Sequence, residues 1–127
     1  MKDFLNNLER YNYSSEIVEF LKPVAGSISN GQYKTAEKEF AGQTLKITEA
    51  IRNGSLNAGK ADEIFTLLEI LISDNFTTEE KKSSFSSPFS DLLMEGMHLH
   101  HYEDGSGWGP KLDDIEKLAK SILRETS

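Results

Sequence analysis

The chain has 127 residues, no cysteine, and a net charge of −7 from 14 basic and 21 acidic side chains. This length suits one domain with a single hydrophobic core, and the absence of cysteine excludes a disulfide framework and thiolate metal sites. The acidic balance repels phosphate backbones and anionic lipid, so neither nucleic acid nor a membrane is expected as a direct ligand. Charged and amide residues interrupt the N-terminal stretch, which therefore lacks the apolar run of a secretory signal, and we expect a cytoplasmic protein.

The N-terminal part of the chain predicts two helices. A short one covers residues 3 to 10, and a second begins with Ser14 or Ser15 as its N-cap. Apolar residues keep helical spacing in the second helix through Pro23, although an interior proline removes a backbone hydrogen bond and costs about 3 kcal/mol. The sequence leaves open whether Pro23 kinks or breaks this helix. Asn30 and Gly31 mark its end.

Residues 32 to 52 form the next predicted helix. Apolar and small residues recur on one face, and Asn53-Gly54 supplies the left-handed residue that closes many helices. Gly42 lies on the opposite face, where it weakens the helix by about 1 kcal/mol relative to alanine.

Residues 61 to 73 are predicted to form a central helix that is buried on nearly every side. Its polar members Asp62, Thr66, Glu69 and Ser73 fall on one narrow stripe, and apolar residues cover most of the remaining surface. The segment is too short to span a bilayer, which needs about 20 apolar residues, so it must be buried by the rest of the chain or by a second subunit.

The segment that follows is rich in turn and capping signals. Asp74-Asn75 marks a turn, and Thr77 and Glu80 have the spacing of a capping box for a short helix. The serines between 83 and 87 compete for backbone hydrogen bonds, and we expect a mobile connection there. Ser87 as N-cap and Pro88 at the first position then open a helix that runs to about Tyr102.

The last helix is predicted over residues 111 to 124. It follows the glycine-rich stretch 103 to 110, which is expected to be irregular, and it carries one apolar stripe. Asp113/Lys117 and Glu116/Lys120 have the spacing of ion pairs along this helix. The fold expected from all segments together is an all-α, single-domain bundle of five or six helices around residues 61 to 73.

Negative charge is concentrated at the start of the last helix and in the segment before it. Between residues 91 and 116 the chain carries 7 carboxylates and only one basic residue, Lys111. Short connections bring this segment together in space, and Tyr102 and Trp108 add apolar anchors of the kind found in interfaces. The sequence therefore predicts a binding surface for a basic protein partner, with these residues: Asp91, Glu95, His98, Tyr102, Glu103, Asp104, Trp108, Asp113 and Asp114. The alternative interpretation of Trp108 is that its side chain packs back onto the core rather than standing at a binding surface.

The three histidines raise a metal hypothesis, in which Asp91, Glu95, His98 and His101 bind an ion for a helical enzyme. Glu95 and His98 have the i, i+3 spacing of di-metal carboxylate bundles, but a second such pair is missing from the sequence. His100 projects toward the core side of its helix, where a hydrogen-bonded neutral histidine is the ordinary finding. We expect no metal and no other cofactor.

Nucleophilic catalysis finds no support in the sequence. There is no cysteine and no Gly-x-Ser-x-Gly elbow, and the glycine loop before Pro110 lacks the lysine of a phosphate-binding loop. The sequence favours a protein that is not an enzyme and that neutralises or regulates its partner, as immunity or antitoxin-type inhibitors do. This comparison rests on charge and size alone. A self-associating module, such as a homodimer, is the third hypothesis.

Overall fold

The computed structural model describes residue 10, residues 14–99 and residues 108–125, with 108 and 125 described by their backbone alone. Within these ranges all regular structure is helical, and the helices pack together as an all-α bundle, as the sequence periodicity predicts. The six helices of the described ranges are α1 (Ser15–Ser29), α2 (Tyr33–Arg52), α3 (Ala58–Asn75), α4 (Thr78–Ser84), α5 (Ser87–Met97) and α6 (Trp108–Glu125). The predicted helix over residues 3 to 10 lies outside the described residues.

Helix α1 passes through Pro23 without interruption, so the structure excludes a break there. The side chain of Ser14 caps its first turn by accepting a hydrogen bond from the backbone N–H of Ile17. Pro23 is exposed, whereas Val24 and Ile28 beyond it are buried. Burial of this apolar face offsets the hydrogen bond that the proline removes.

Helix α3 is the buried helix that the sequence predicts. Its buried residues are Ala58, Ala61, Ile64, Phe65, Leu67, Leu68, Leu71 and Ile72. The side chains of the polar stripe form hydrogen bonds with one another: Thr66 donates to Asp62 over 3.1 Å, and Ser73 donates to Glu69 over 2.9 Å. The helix extends through Asn75, so the turn expected at Asp74-Asn75 falls at Phe76 instead.

The helices pack in a definite pattern. Helix α2 packs against α1 and α6, α3 packs against α1 and α5, and α5 packs against α6. Aromatic rings connect further helices in the core, since Phe40 of α2 contacts both Phe65 of α3 and Phe89 of α5 edge to face, at centroid distances of 5.3 and 6.0 Å. Helix α6 is therefore flanked by α2 on one side and by α5 on the other.

The serine-rich segment forms a two-residue junction between α4 and α5. Phe85 is buried there, 5.3 Å from the rings of Tyr33 and Phe89. Glu37 of α2 is also buried and accepts hydrogen bonds from the backbone N–H and the hydroxyl of Ser86 at 2.8 and 2.9 Å. The predicted capping box of Thr77 and Glu80 is present. The mobility expected of this connection stays a prediction.

Three boundaries in the second half differ from those predicted. The N-cap of α5 is Ser86 rather than Ser87, so that Pro88 occupies the second helical position, where its missing N–H still has no intrahelical role. Helix α5 ends at Met97 rather than near Tyr102, with His98 as its C-cap. Helix α6 begins at Trp108, so the last three residues of the stretch expected to be irregular are helical. Pro110 is compatible with this because it stands in the first turn.

Candidate functional site

A shallow groove of about 370 Å³ runs between α5 and α6, inside the region that the sequence predicts as a binding surface. It exists because the two helices pack side by side, which places their outward faces next to each other. Its lining combines three acidic, one basic and two apolar side chains: Asp91, Met94, Glu95, Asp114, Lys117 and Leu118.

Met94 is an exposed apolar residue that lines this groove, and the sequence reasoning missed it. Its side chain is 56% exposed, and it is the only large hydrophobic residue so exposed in the ranges that the structure describes. Helical projection would have revealed it, because at 100° per residue Met94 falls on the face of Asp91 and Glu95 rather than on the buried face of Phe89 and Leu93. A thioether in such a place adapts its shape to many apolar partners.

Glu95, which lines the groove, forms an ion pair with Lys111 of α6. The side chain of Lys111 is largely enclosed, with only 13% of it exposed. This pair links α5 to α6 and removes one carboxylate from the negative surface that the sequence predicts.

Arg52 of α2 neutralises Asp113, another carboxylate of the predicted surface, and also Glu116. Its guanidinium donates to Asp113 over 2.7 Å and to Glu116 over 2.9 Å. These contacts join α2 to α6, whereas the sequence spacing predicted pairing with Lys117 and Lys120 along α6. The sequence could not indicate Arg52 as the partner, because it is separated from Glu116 by 64 positions.

The pKa values of Arg52 and Glu116 are shifted by the same contacts. Partial burial of Glu116 opposes its ionisation, but hydrogen bonds from Arg52 and Thr48, with the charges of Arg52 and Lys120, outweigh burial and lower the pKa of the carboxyl. The Thr48 hydroxyl donates over 2.8 Å. The hydrogen bond to Glu116 is the largest contribution that raises the pKa of Arg52. Arg52 and Glu116 are therefore both ionised at neutral pH.

The carboxylates of Asp91 and Asp114 are accessible to a binding partner at the groove. Both are exposed, and neither makes a hydrogen bond or ion pair with the rest of the described chain. Lys117 is exposed at the same groove and partly offsets them. The groove thus combines an adaptable apolar side chain with two carboxylates that are unpaired within the described residues, and with one cation.

The other residues of the predicted surface fall into two groups. His98 is exposed and ends α5, but it does not line the groove. Trp108 starts α6, and nothing is described of its side chain, while Tyr102, Glu103 and Asp104 lie outside the described residues. The contribution of these four aromatic and acidic residues to binding stays a prediction.

The described part of the molecule offers no arrangement of side chains that supports the metal hypothesis. Among the residues whose side chains are described, no group of three or more histidine, cysteine, aspartate or glutamate residues lies close enough together to hold a metal ion. His100 and His101 lie outside those residues.

None of the helices in the described ranges is both long enough and apolar enough to cross a membrane.

Comparison with known proteins adds no functional information. No family model, curated protein or solved structure gives a significant match to the chain.

Proposed function

We propose that this protein binds a basic protein partner through the groove between α5 and α6 and thereby neutralises or regulates that partner. One observation carries the proposal, which is that the exposed Met94 lines the same groove as Asp91 and Asp114, two carboxylates without a partner among the described residues. Exposed apolar side chains rimmed by charge are a common feature of protein interaction sites. The proposal places the protein in the cytoplasm and assigns it no catalytic role.

Charge and apolar contact have separate roles in this proposal. Asp91 and Asp114 attract cationic side chains during encounter, because exposed charges act mainly on the association rate. Met94 is covered only once the complex has formed, so it acts mainly on the dissociation rate. Lys117 opposes a basic partner, and its removal is therefore expected to strengthen binding.

The experiment begins with capture of the partner from a lysate of the source organism on the immobilised protein. The purified partner is then studied by surface-plasmon kinetics at two ionic strengths. We expect the double variant Asp91→Asn/Asp114→Asn to slow association and to reduce its salt dependence. We expect Met94→Ala to speed dissociation roughly fivefold, which corresponds to about 1 kcal/mol.

Two further variants make the test specific. Glu16→Gln/Glu49→Gln removes the same charge from exposed positions on α1 and α2 and should leave the kinetics close to wild type. Lys117→Gln should speed association, in the direction opposite to the aspartate variant. An acidic partner, or equal effects from both double variants, would refute the proposed site.

A further inference from the structure

A second surface, on the other side of α6, carries the opposite charge. Lys34, Lys38, Gly42 and Lys46 follow each other at intervals of four residues along α2. On an α-helix such positions form one continuous ridge, and at 1.5 Å per residue this ridge extends over about 18 Å. The three lysines and the glycine line a groove of about 600 Å³ that Leu123 of α6 borders.

The ammonium groups on this ridge are available to a ligand. Lys34, Lys38 and Lys46 are exposed and have no hydrogen bond or ion pair within the described ranges of the chain. Glu39 also lines the groove, but its carboxylate accepts a hydrogen bond from Ser27 of α1. In a protein with a net charge of −7, this groove is a local region of positive charge.

Gly42 supplies an independent observation. It stands in the middle of α2, where glycine costs about 1 kcal/mol relative to alanine, yet a Cβ built on it would meet nothing within 4 Å. Close packing explains Gly96, whose Cβ would overlap the ring of Phe65. No contact within the described chain explains Gly42. Its effect is to leave a gap in the lysine ridge, where another chain can approach the backbone of α2 closely.

We propose that this groove binds an acidic polypeptide segment, such as a helix with glutamates on one face, which crosses α2 at Gly42. The length of the ridge favours an extended anion, because the lysines are too widely spaced to converge on one small phosphate. The protein's overall negative charge disfavours nucleic acid, whose affinity depends on many phosphate contacts. Leu123 offers the apolar contact that charge pairing on an exposed surface needs to become stable.

The test uses a fluorescein-labelled synthetic peptide with glutamate at every fourth position and alanine elsewhere. Binding is measured by fluorescence anisotropy at two salt concentrations, beside the same peptide with glutamine in place of glutamate. We expect only the glutamate peptide to bind, with an affinity that falls as salt rises. Lys38→Ala should weaken it roughly two- to fivefold, and Lys34→Ala/Lys46→Ala should weaken it further.

The glycine is tested by variants for which stability and binding are expected to change in opposite directions. Gly42→Ala and Gly42→Leu should raise the unfolding temperature, because both residues favour helix and the Cβ has room. Both should lower the affinity for the peptide, and Gly42→Leu should lower it more. Gly26→Ala in α1, where a Cβ also has room, should raise the unfolding temperature without changing affinity. Lys82→Ala on α4 is the control for charge.

Four results would overturn the proposal. The first is equal binding of the glutamine peptide, and the second is an equal loss of affinity in Lys82→Ala and Lys38→Ala. The third is tighter binding of a single-stranded oligothymidylate with the same lysine dependence, which would make the groove a nucleic-acid site. The fourth is a dimer in light scattering that Lys38→Ala dissociates, which would assign the groove to a second copy of the chain.

Discussion

Gly96 of α5 lies directly against the aromatic ring of Phe65 in α3, with no room for a β-carbon between them. Both residues are buried, and the contact sets how closely the two helices approach. The absence of a side chain is therefore a packing requirement at this position.

Gly96→Ala is expected to destabilise the protein by about 1 to 3 kcal/mol, because the added methyl group must displace a ring that is enclosed on all sides. Chemical denaturation followed by circular dichroism measures the change. Gly26→Ala is the matched control and should be neutral or stabilising, since a Cβ there meets nothing within 4 Å. Similar losses in both variants would show that the Phe65 contact is not the cause.

Leu68→Ala should cost about 2 to 5 kcal/mol, because Leu68 has no exposed surface and its truncation leaves a cavity in the core. Glu69→Ala, on the polar stripe of the same helix, should change the free energy of unfolding by less than about 1 kcal/mol. Glu69 contacts Ser73 and Lys81 at the surface, and such contacts stabilise little. Urea denaturation of both variants tests the orientation of α3, and equal costs would contradict it.

The cluster of Arg52 and Glu116 predicts a specific dependence of stability on pH. Because the folded state lowers the pKa of Glu116, the carboxylate contributes stability above its unfolded pKa of about 4.3 and loses it as the pH falls through the lower folded value. Glu116→Gln removes this contribution. The difference in unfolding free energy between wild type and Glu116→Gln should therefore be largest at neutral pH and shrink in acid.

Thermal unfolding between neutral pH and about pH 3 measures that difference. Other carboxylates titrate in the same range, but they are present in both proteins and cancel. Asp114→Asn serves as the control, because Asp114 has no partner within the described residues. A difference that stays constant with pH would show that the Arg52 contacts do not stabilise the ionised carboxyl.

Glu37→Ala should destabilise the junction between α4 and α5 by about 1 to 3 kcal/mol, because it leaves the backbone N–H of Ser86 without its acceptor. Glu37→Gln keeps one acceptor oxygen and should cost less. Hydrogen exchange at the Ser86 amide is the direct measurement, and we expect slow exchange in wild type and faster exchange in Glu37→Ala. Fast exchange in both would support the mobile connection that the serines predict.

The periodicity of the sequence was sufficient for the fold because it is repeated within each segment. Apolar residues at helical spacing predicted α2, α3 and α6. Local capping signals predicted the N-cap of α4 at Thr77 and narrowed that of α1 to Ser14 or Ser15, of which the structure uses Ser14. Helix ends were less predictable. The glycines before Pro110 suggested an irregular loop, although the first turn of a helix tolerates both glycine and proline.

The candidate site was only partly predictable, because ion pairs between different helices cannot be recognised from the spacing of residues along the sequence. Asp91, Glu95 and Asp114 were expected on one surface, and the packing of α5 on α6 places all three at one groove. Charge counting along the chain could not reveal that Arg52 and Lys111 bind three of the neighbouring carboxylates. Likewise, the serines around Phe85 suggested a mobile connection, whereas Phe85 packs against the aromatic rings of Tyr33, Phe76 and Phe89.

These internal ion pairs alter the surface that the proposed partner would meet as it approaches. A broad field of uncompensated carboxylates attracts any cation from a distance and discriminates poorly among them. With Glu95, Asp113 and Glu116 engaged within the fold, the described face presents two separate negative points on different helices, Asp91 and Asp114. The spacing of these two points is fixed by the packing of α5 on α6. In the proposed function, a basic partner is selected by the distance between its own cationic groups as well as by its total charge, so that the helix packing itself determines specificity.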